Sequence, residues 1–284
     1  MRFRHLAAFA GVLLWCSTIR AEVIDTVAQA SMLVEGTAVL NPDGSVASYT
    51  LKQPEKLPSP VTALIAQSLP SWKFQFTSSP STPTQENMWL RILATDVDRQ
   101  RTTLSIASAH FERADQPSDE KIHVATQARV APPSMALQAG VPGTVYVLAR
   151  VGRDGKVQEA AVEQVNLHRY AEKSLMAAYR MDLARVAVAS VKKWTFDVPT
   201  AGTSAQAPYW YVRAAFDFHI ASDLNDPSHG GGYGKWEFYV PGPRENIPWL
   251  RDRKLLAEAP DATPEGRAHT LEADAALLTQ LAPN

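Results

Sequence analysis

An internal repeat constrains the fold of this 284-residue chain more than any other feature. Two stretches share an ordered pattern: a β-favouring segment, an Asp-Gly turn, a Trp-x-Phe motif and a second tryptophan. The turn glycines are Gly44 and Gly155. The tryptophans are Trp72 and Trp89 in the first stretch and Trp194 and Trp210 in the second. A pattern that recurs in this way indicates one structural unit present twice, so the chain is predicted to contain two related domains.

Each repeat is predicted to be a β-β-α-β unit, a three-stranded antiparallel sheet with one covering helix, which makes the fold class α+β. In the second copy, residues 145–151 and 156–165 favour strands, and the Asp-Gly between them is typical of a hairpin turn. Apolar residues at 183, 187, 191 and 194 share one helical face, and residues 209–220 read as an aromatic closing strand. The first copy predicts a turn at 41–44, a helix that starts at Ser59 and Pro60, and a closing strand at 88–97. About eleven extra residues around 167–182 are predicted in the second copy as a helical insertion.

The second repeat resembles the TonB C-terminal domain family over roughly residues 128–220. The matching residues are Pro132-Pro133-Ser134, Gly143-Thr144-Val145, Asp154-Gly155, Val191-Lys192-Lys193-Trp194-Thr195-Phe196 and the closing strand to Phe218. The first repeat is a shorter version of the same pattern. The resemblance implies a non-enzymatic periplasmic module that grips a peptide of an outer-membrane or other envelope protein. The alternative is a membrane-anchored, TonB-like energy transducer with an uncleaved N-terminal segment.

The first 21 residues have the pattern of a secretory signal peptide. Arg2 and Arg4 precede a mostly apolar run at 6–19, and cleavage after Ala21 would leave Glu22 as the N-terminus. The run is shorter than the roughly 20 residues that a membrane-spanning helix needs. Lipidation at Cys16 is disfavoured, because Trp15 stands where a lipoprotein needs a small residue. The sequence therefore predicts export to the periplasm as a protein without cysteine.

The remaining chain divides by composition and by the repeat. The predicted segments are 22–115 for the first repeat, 116–127 for a linker, 128–221 for the second repeat and 222–284 for a Gly/Pro-rich tail. Within the tail, residues 228–234 read as a flexible linker and 235–240 as a short strand. Thr263 and Pro264 are predicted to start an amphipathic helix with Leu271, Ala275 and Leu278 on one face. Such a helix packs on its own protein or docks a partner.

Composition and motifs argue against an enzyme and against several classes of ligand. The formal net charge of −1 gives no electrostatic case for nucleic-acid binding. No metal-binding motif and no cofactor-binding motif is present, so no metal or cofactor is predicted. The glycines after His229 resemble a lipase oxyanion loop, but the chain has no G-x-S-x-G motif, so a hydrolase is the least favoured function. Asp96 and Asp98 are interpreted as solvated surface, and Trp72 and Trp194 as core anchors.

The closing strand of the second repeat is the predicted peptide-binding site. An edge strand exposes unpaired N–H and C=O groups to which an extended peptide can add. The predicted site residues are Tyr209, Trp210, Tyr211, Val212, Arg213 and Ala215. The alternative is that this strand is central or is covered by the tail, for example by residues 236–240. Self-association through the same edges is a further predicted use.

Overall fold

A computed structural model describes residues 28–98, 101–219, 233–250, 260–262, 268–271 and 274–281. The predictions for the signal peptide, for Cys16 and for His229 lie outside these residues, as do the side chains of Asp96 and Asp98. The described residues form antiparallel sheets and three α-helices, and the predicted α+β class is confirmed. None of the described helices combines the length and the apolar character that a membrane crossing requires.

The first half of the chain supplies four strands of a five-stranded sheet, one α-helix and one short strand outside that sheet. Its elements are β1 (Gln29–Leu40), β2 (Val46–Leu51), α1 (Ser59–Ser68), β3 (Phe74–Phe76), β4 (Thr84–Asp98) and β5 (Arg101–Arg113). Strand β1 lies between β2 and β4, and β4 pairs on its other side with β5. Alternate residues of β1 and β4 are buried under α1, among them Val34 and Leu90. The long strand β5 was not predicted, and it makes β4 a central strand rather than an edge.

The second half contains three long strands, two short strands and two helices. They are β6 (His123–Thr126), α2 (Ser134–Gln138), β7 (Gly143–Gly152), β8 (Val157–Leu167), α3 (Lys173–Val191), β9 (Thr195–Asp197) and β10 (Tyr209–Phe218). Strand β7 lies between β8 and β10. The predicted helical face is buried at Leu183, Ala187, Val191 and Trp194. Helix α3 has 19 residues against 10 in α1, so the extra residues of this half lengthen the helix at its N-terminal end.

The turns of the two halves agree in their hydrogen bonds. Gly44 and Gly155 have φ angles of 77° and 72°, as their turns require. The amide of Phe74 donates to the carbonyl of Gly44 at 2.8 Å, and the amide of Phe196 donates to that of Gly155 at 2.8 Å. In each half, the hairpin turn is thereby hydrogen-bonded to the short strand that follows the helix, β3 in the first half and β9 in the second.

The tail forms strands, and the predicted amphipathic helix is wrong. The described tail elements are β11 (Glu237–Tyr239), β12 (Ala268–Thr270) and β13 (Ala275–Leu277), which pair with β1, β10 and β3 respectively. Leu271 and Ala275, predicted on one helical face, lie in different apolar clusters, and Leu278 is exposed. A strand was predicted at 235–240, and its position agrees with β11. The tail therefore contacts the sheets of both halves, which below are called the first sheet (β1, β2, β4, β5 and β11) and the second sheet (β7, β8, β10 and β12).

Candidate functional site

The predicted peptide-binding strand β10 is not a free edge. Strand β12 pairs with it antiparallel, with Val212, Arg213 and Ala214 opposite Thr270, His269 and Ala268. The predicted site residues Trp210, Tyr211, Val212, Arg213 and Ala215 are buried, and Tyr209 is half-buried. One face of β10 packs under α3, and the tail residues Ile247, Leu250 and Leu271 cover Tyr211 on the other face. The prediction of an open edge is therefore wrong, because the tail supplies both a strand and a cover.

The second edge of this sheet, β8, is covered along its C-terminal part by an extended stretch of the tail. The amide of Val240 donates to the carbonyl of Leu167 at 2.7 Å, and the amide of Glu245 donates to the carbonyl of Glu163 at 2.9 Å. Between these two contacts, the side chain of Gln164 donates to the carbonyl of Gly242 at 2.9 Å. The segment 240–245 thus lies along β8 as an added peptide would.

The corresponding edge of the first sheet, β2, has no such cover in the described part of the chain. Apart from an isolated bridge between Ser45 and Lys73 at its start, no strand among the described residues pairs with its outer side. The amide of Lys52 donates to the carbonyl of Glu35 at 2.9 Å. Because amides along a strand point alternately to its two sides, this bond shows which amides of β2 face β1. The amides of Ser48 and Thr50 then point to β1, and those of Tyr49 and Leu51 point outward.

A cavity of about 310 Å³ opens beside β2, and it is called here the β2 groove. Its lining residues are Glu35, Gly36, Thr37, Thr50, Leu51, Lys52, Asn87, Met88 and Trp89. The cross-strand pairs Thr37–Asn87 and Glu35–Trp89 place these four side chains on the sheet face opposite α1. At one wall, Lys52 Nζ and Glu35 Oε2 form a half-exposed ion pair at 2.8 Å. The groove therefore offers a cation, an anion, uncharged hydrogen-bonding groups and an indole within one concave surface.

A tyrosine of the tail completes this wall. Glu35 lies on β1 between the part that pairs with β11 and the part that pairs with β2. The Tyr233 hydroxyl accepts a hydrogen bond from the Glu35 amide at 3.3 Å and donates one to the Glu35 carbonyl at 3.2 Å. The Lys52 ammonium lies 5.6 Å from the centre of the Tyr233 ring. The Tyr233 hydroxyl thus satisfies the Glu35 amide and shares the Glu35 carbonyl with the amide of Lys52.

Trp89 also belongs to a buried cluster where the two sheets meet, called here the junction cluster: Trp89, His110, Glu163, Arg213 and His269. The His110 and His269 ring centres are 5.3 Å apart, and each lies 5.6 Å from the Trp89 ring. Arg213 forms a bidentate ion pair with Glu163 beside them. Burial, together with the smaller effects of neighbouring His269 and Arg213, lowers the pKa of His110 to about 3. At neutral pH, His110 is therefore uncharged.

No residue of these two sites was predicted from the sequence for the role it has there. Trp89 was quoted as a marker of the repeat, and Arg213 as a residue of the predicted peptide strand. The other groups come from β1, β2, β4, β5, β8 and the tail, and no motif joins them. The core prediction for Trp72 and Trp194 is confirmed, since both are buried. Within the described residues, no group of three or more His, Cys, Asp or Glu side chains is arranged to hold a metal ion.

Comparisons of this chain with protein-family models, with curated proteins and with solved structures found no match in any of the three. The resemblance to the TonB C-terminal domain family accordingly depends on the residues quoted for it above.

Proposed function

We propose that this chain is a non-enzymatic binding protein of the periplasm that takes up an extended peptide segment of another envelope protein along the open edge of β2. The observation that carries the proposal is the difference between the two equivalent edges. In the second sheet, the chain's own segment 240–245 lies along β8. In the first sheet, β2 presents its outward amides with no described strand beside them.

The two halves are interpreted as tandem copies of one β-β-α-β unit. This is supported by the central positions of β1 and β7 and by the matching bonds from Phe74 to Gly44 and from Phe196 to Gly155. An edge that accepts an extended chain in one copy is then expected to accept one in the other. The resemblance to the TonB C-terminal domain family favours a peptide over a small molecule as the ligand.

The chemistry of β2 and its groove defines the peptide that would fit. Backbone hydrogen bonds to Tyr49 and Leu51 would supply affinity regardless of sequence. Alternate side chains of the peptide would face the groove, where Thr37 and Asn87 can hydrogen-bond and Trp89 offers an apolar surface. The Glu35–Lys52 ion pair lets this wall meet a charged group of either sign. A long side chain with a polar end matches these features, and the volume of about 310 Å³ accommodates one.

Hydrogen exchange on a single strand tests this proposal. Peptides are selected from a displayed library against the full chain, and amide exchange is followed by NMR with and without the tightest binder. We expect the outward amides of Tyr49 and Leu51 to gain at least tenfold protection. The inward amides of Ser48 and Thr50 are the internal control, because they already bond to β1.

Two substitutions on the same face separate the groove from the rest of the strand. Thr50→Arg fills the groove and is expected to weaken binding of the selected peptide at least tenfold. Ser48→Arg places the same side chain two residues away, outside the groove lining, and is expected to change binding less than threefold. Binding that is unaffected by Thr50→Arg, or protection at amides outside β2, would overturn the assignment.

Export is a separate part of the proposal, supported by the pattern in residues 1–21. N-terminal sequencing of the protein from the periplasm is expected to begin at Glu22. A membrane-bound form that retains residues 1–21 would instead favour the anchored energy transducer.

A further inference from the structure

Strand β12 is a short tail element that closes the junction between the two sheets. It holds the edge of β10 through three residue pairs, and the amide of Leu271 adds a bond to the carbonyl of Tyr211 at 3.1 Å. From the same strand, the ring of His269 reaches Trp89 and His110 of the first sheet. His269 therefore contacts both sheets, since its backbone pairs with β10 and its ring packs against residues of β4 and β5.

The two histidines are enclosed. Their relative exposures are 6% for His110 and 5% for His269, and Trp89 beside them is 7% exposed. His110 Nε2 is buried without a hydrogen-bond partner among the described residues. A proton added at this buried nitrogen would create a cation that no acceptor among the described residues solvates, and such a cation is costly.

Among the described charged groups, His269 and Arg213 act on His110, and both favour its neutral form. Arg213 of β10 faces the histidines with a permanent positive charge, and Glu163 of β8 is already held by Arg213 in their ion pair. From β4, Arg91 carries a second permanent positive charge and is paired with Glu237 of β11 at 3.3 Å. The 3-10 turn Pro260–Ala262 packs against β4 and β5, and its described side chains, Pro260 and Ala262, carry no charge.

We propose that β12 is a pH-operated latch, docked on β10 at neutral pH and released in mild acid when His110 and His269 take up protons. Release gives both imidazoles access to water and moves His269 away from Arg213. It also uncovers the edge of β10 at Val212–Ala214 and the apolar cluster around Leu271.

The expected size of the effect follows from proton linkage. A histidine that is neutral in the docked state and free to titrate in the released state favours release about tenfold per pH unit below its ordinary pKa of about 6.5. The lowered pKa of His110 leaves this slope in place down to about pH 3. His110 alone therefore raises the released fraction about a hundredfold at pH 4.5 relative to pH 7.5.

Hydrogen exchange of the full chain measures release directly. Protection factors, which remove the intrinsic pH dependence of exchange, are compared at pH 7.5 and 4.5. We expect those of the amides that join β12 and β10 to fall at least about a hundredfold, while amides within the β7–β8 ladder change less than threefold. A β12 protection that stays constant, or that falls together with the β7–β8 ladder, would overturn the latch, because the first means no release and the second means global unfolding.

Matched variants assign the effect to the junction histidines. His110→Phe keeps an aromatic ring and cannot be protonated, so it should reduce the pH dependence of β12 protection at least tenfold. His123→Phe alters an exposed histidine of β6 and should leave the pH dependence unchanged. The reverse pattern would contradict the assignment.

A titration of the unsubstituted chain answers the same question if His110→Phe does not fold. The ¹³C shifts of the His110 ring should report a neutral imidazole wherever β12 is protected, and a proton should appear only where that protection is lost. A His110 ring that titrates near pH 6.5 while β12 stays protected would also overturn the proposal.

Discussion

Arg213 on β10 and Glu163 on β8 form a bidentate ion pair across the intervening strand β7. Arg213 Nη2 lies 2.8 Å from Glu163 Oε1, and the two side chains are only 2% and 6% exposed. Both charges are thus almost fully removed from water. Burial of this kind makes the two residues depend on each other, since either one alone would leave an uncompensated charge.

We expect Arg213→Met to destabilise the chain by about 3–5 kcal/mol, because Glu163 would remain buried without its partner. The double variant Arg213→Met with Glu163→Leu should recover most of this loss, since apolar residues of similar volume replace the whole pair. Urea unfolding followed by circular dichroism measures both. If the double variant lost as much as the two single variants added together, the pair would not be energetically coupled.

The turn glycines give a matched test of the two hairpins. A Cβ at Gly44 would lie 2.0 Å from the carbonyl oxygen of Phe74, and one at Gly155 would lie 2.2 Å from that of Phe196. Gly44→Ala and Gly155→Ala should each cost more than 2 kcal/mol, from about 1–2 kcal/mol for the left-handed backbone plus a clash with rigid backbone.

The control for these variants is Gly202→Ala. Gly202 has the same φ as Gly44, 77°, but a Cβ there would meet the flexible end of Glu120. Its cost should therefore be limited to the backbone contribution of about 1–2 kcal/mol. Thermal unfolding of the three variants provides the comparison, and equal losses at all three positions would show that the carbonyl contacts do not matter.

Local signals predicted the parts of the fold that local residues determine. The turns at Gly44 and Gly155 need positive φ, and the apolar spacing from Leu183 to Trp194 can be buried only as a helix face. Both features were readable from a few neighbouring residues. The lengths of α1 and α3 also follow the predicted difference between the two repeats.

The tail and the candidate sites depend on contacts that are distant in sequence. Strands β12 and β13 have three residues each, too few to show a period of two, and they gain stability only by pairing with β10 and β3. The spacing of Leu271, Ala275 and Leu278 also fits one face of a helix, so it could not distinguish a helix from these short strands. His110 and His269 meet only after both sheets have formed, so no motif could join them.

Tyr233→Phe tests whether a single hydroxyl substitutes for a strand partner at Glu35. The variant removes the group that bonds both the amide and the carbonyl of Glu35. We expect a loss of about 1 kcal/mol in stability and faster exchange of the Glu35 amide. Tyr170→Phe is the control, because Tyr170 is 63% exposed and its change should stay within about 0.5 kcal/mol. An unchanged Glu35 amide in Tyr233→Phe would show that other groups satisfy it.

The buried carboxyl group of Glu86 on β4 is expected to make the folded chain less stable as the pH rises. Burial, with a smaller contribution from nearby Asp274, raises its pKa from an ordinary value of 4.5 to about 7 against the lowering effect of Thr84. Between these two pH values, the folded chain holds a proton that the unfolded chain has released. The contribution of Glu86 to stability is therefore fully present below about pH 4.5 and falls by up to about 3 kcal/mol as the pH rises through 7.

Glu86→Gln should remove this slope and make the chain more stable than the parent at pH 8 by about 1–3 kcal/mol. The difference in urea midpoint between the two proteins, measured from pH 5 to 8, isolates the carboxyl group. His110 contributes a slope of opposite sign below pH 6.5, but it is present in both proteins and cancels. A Glu86→Gln difference that stays constant over this range would mean that Glu86 keeps one protonation state throughout.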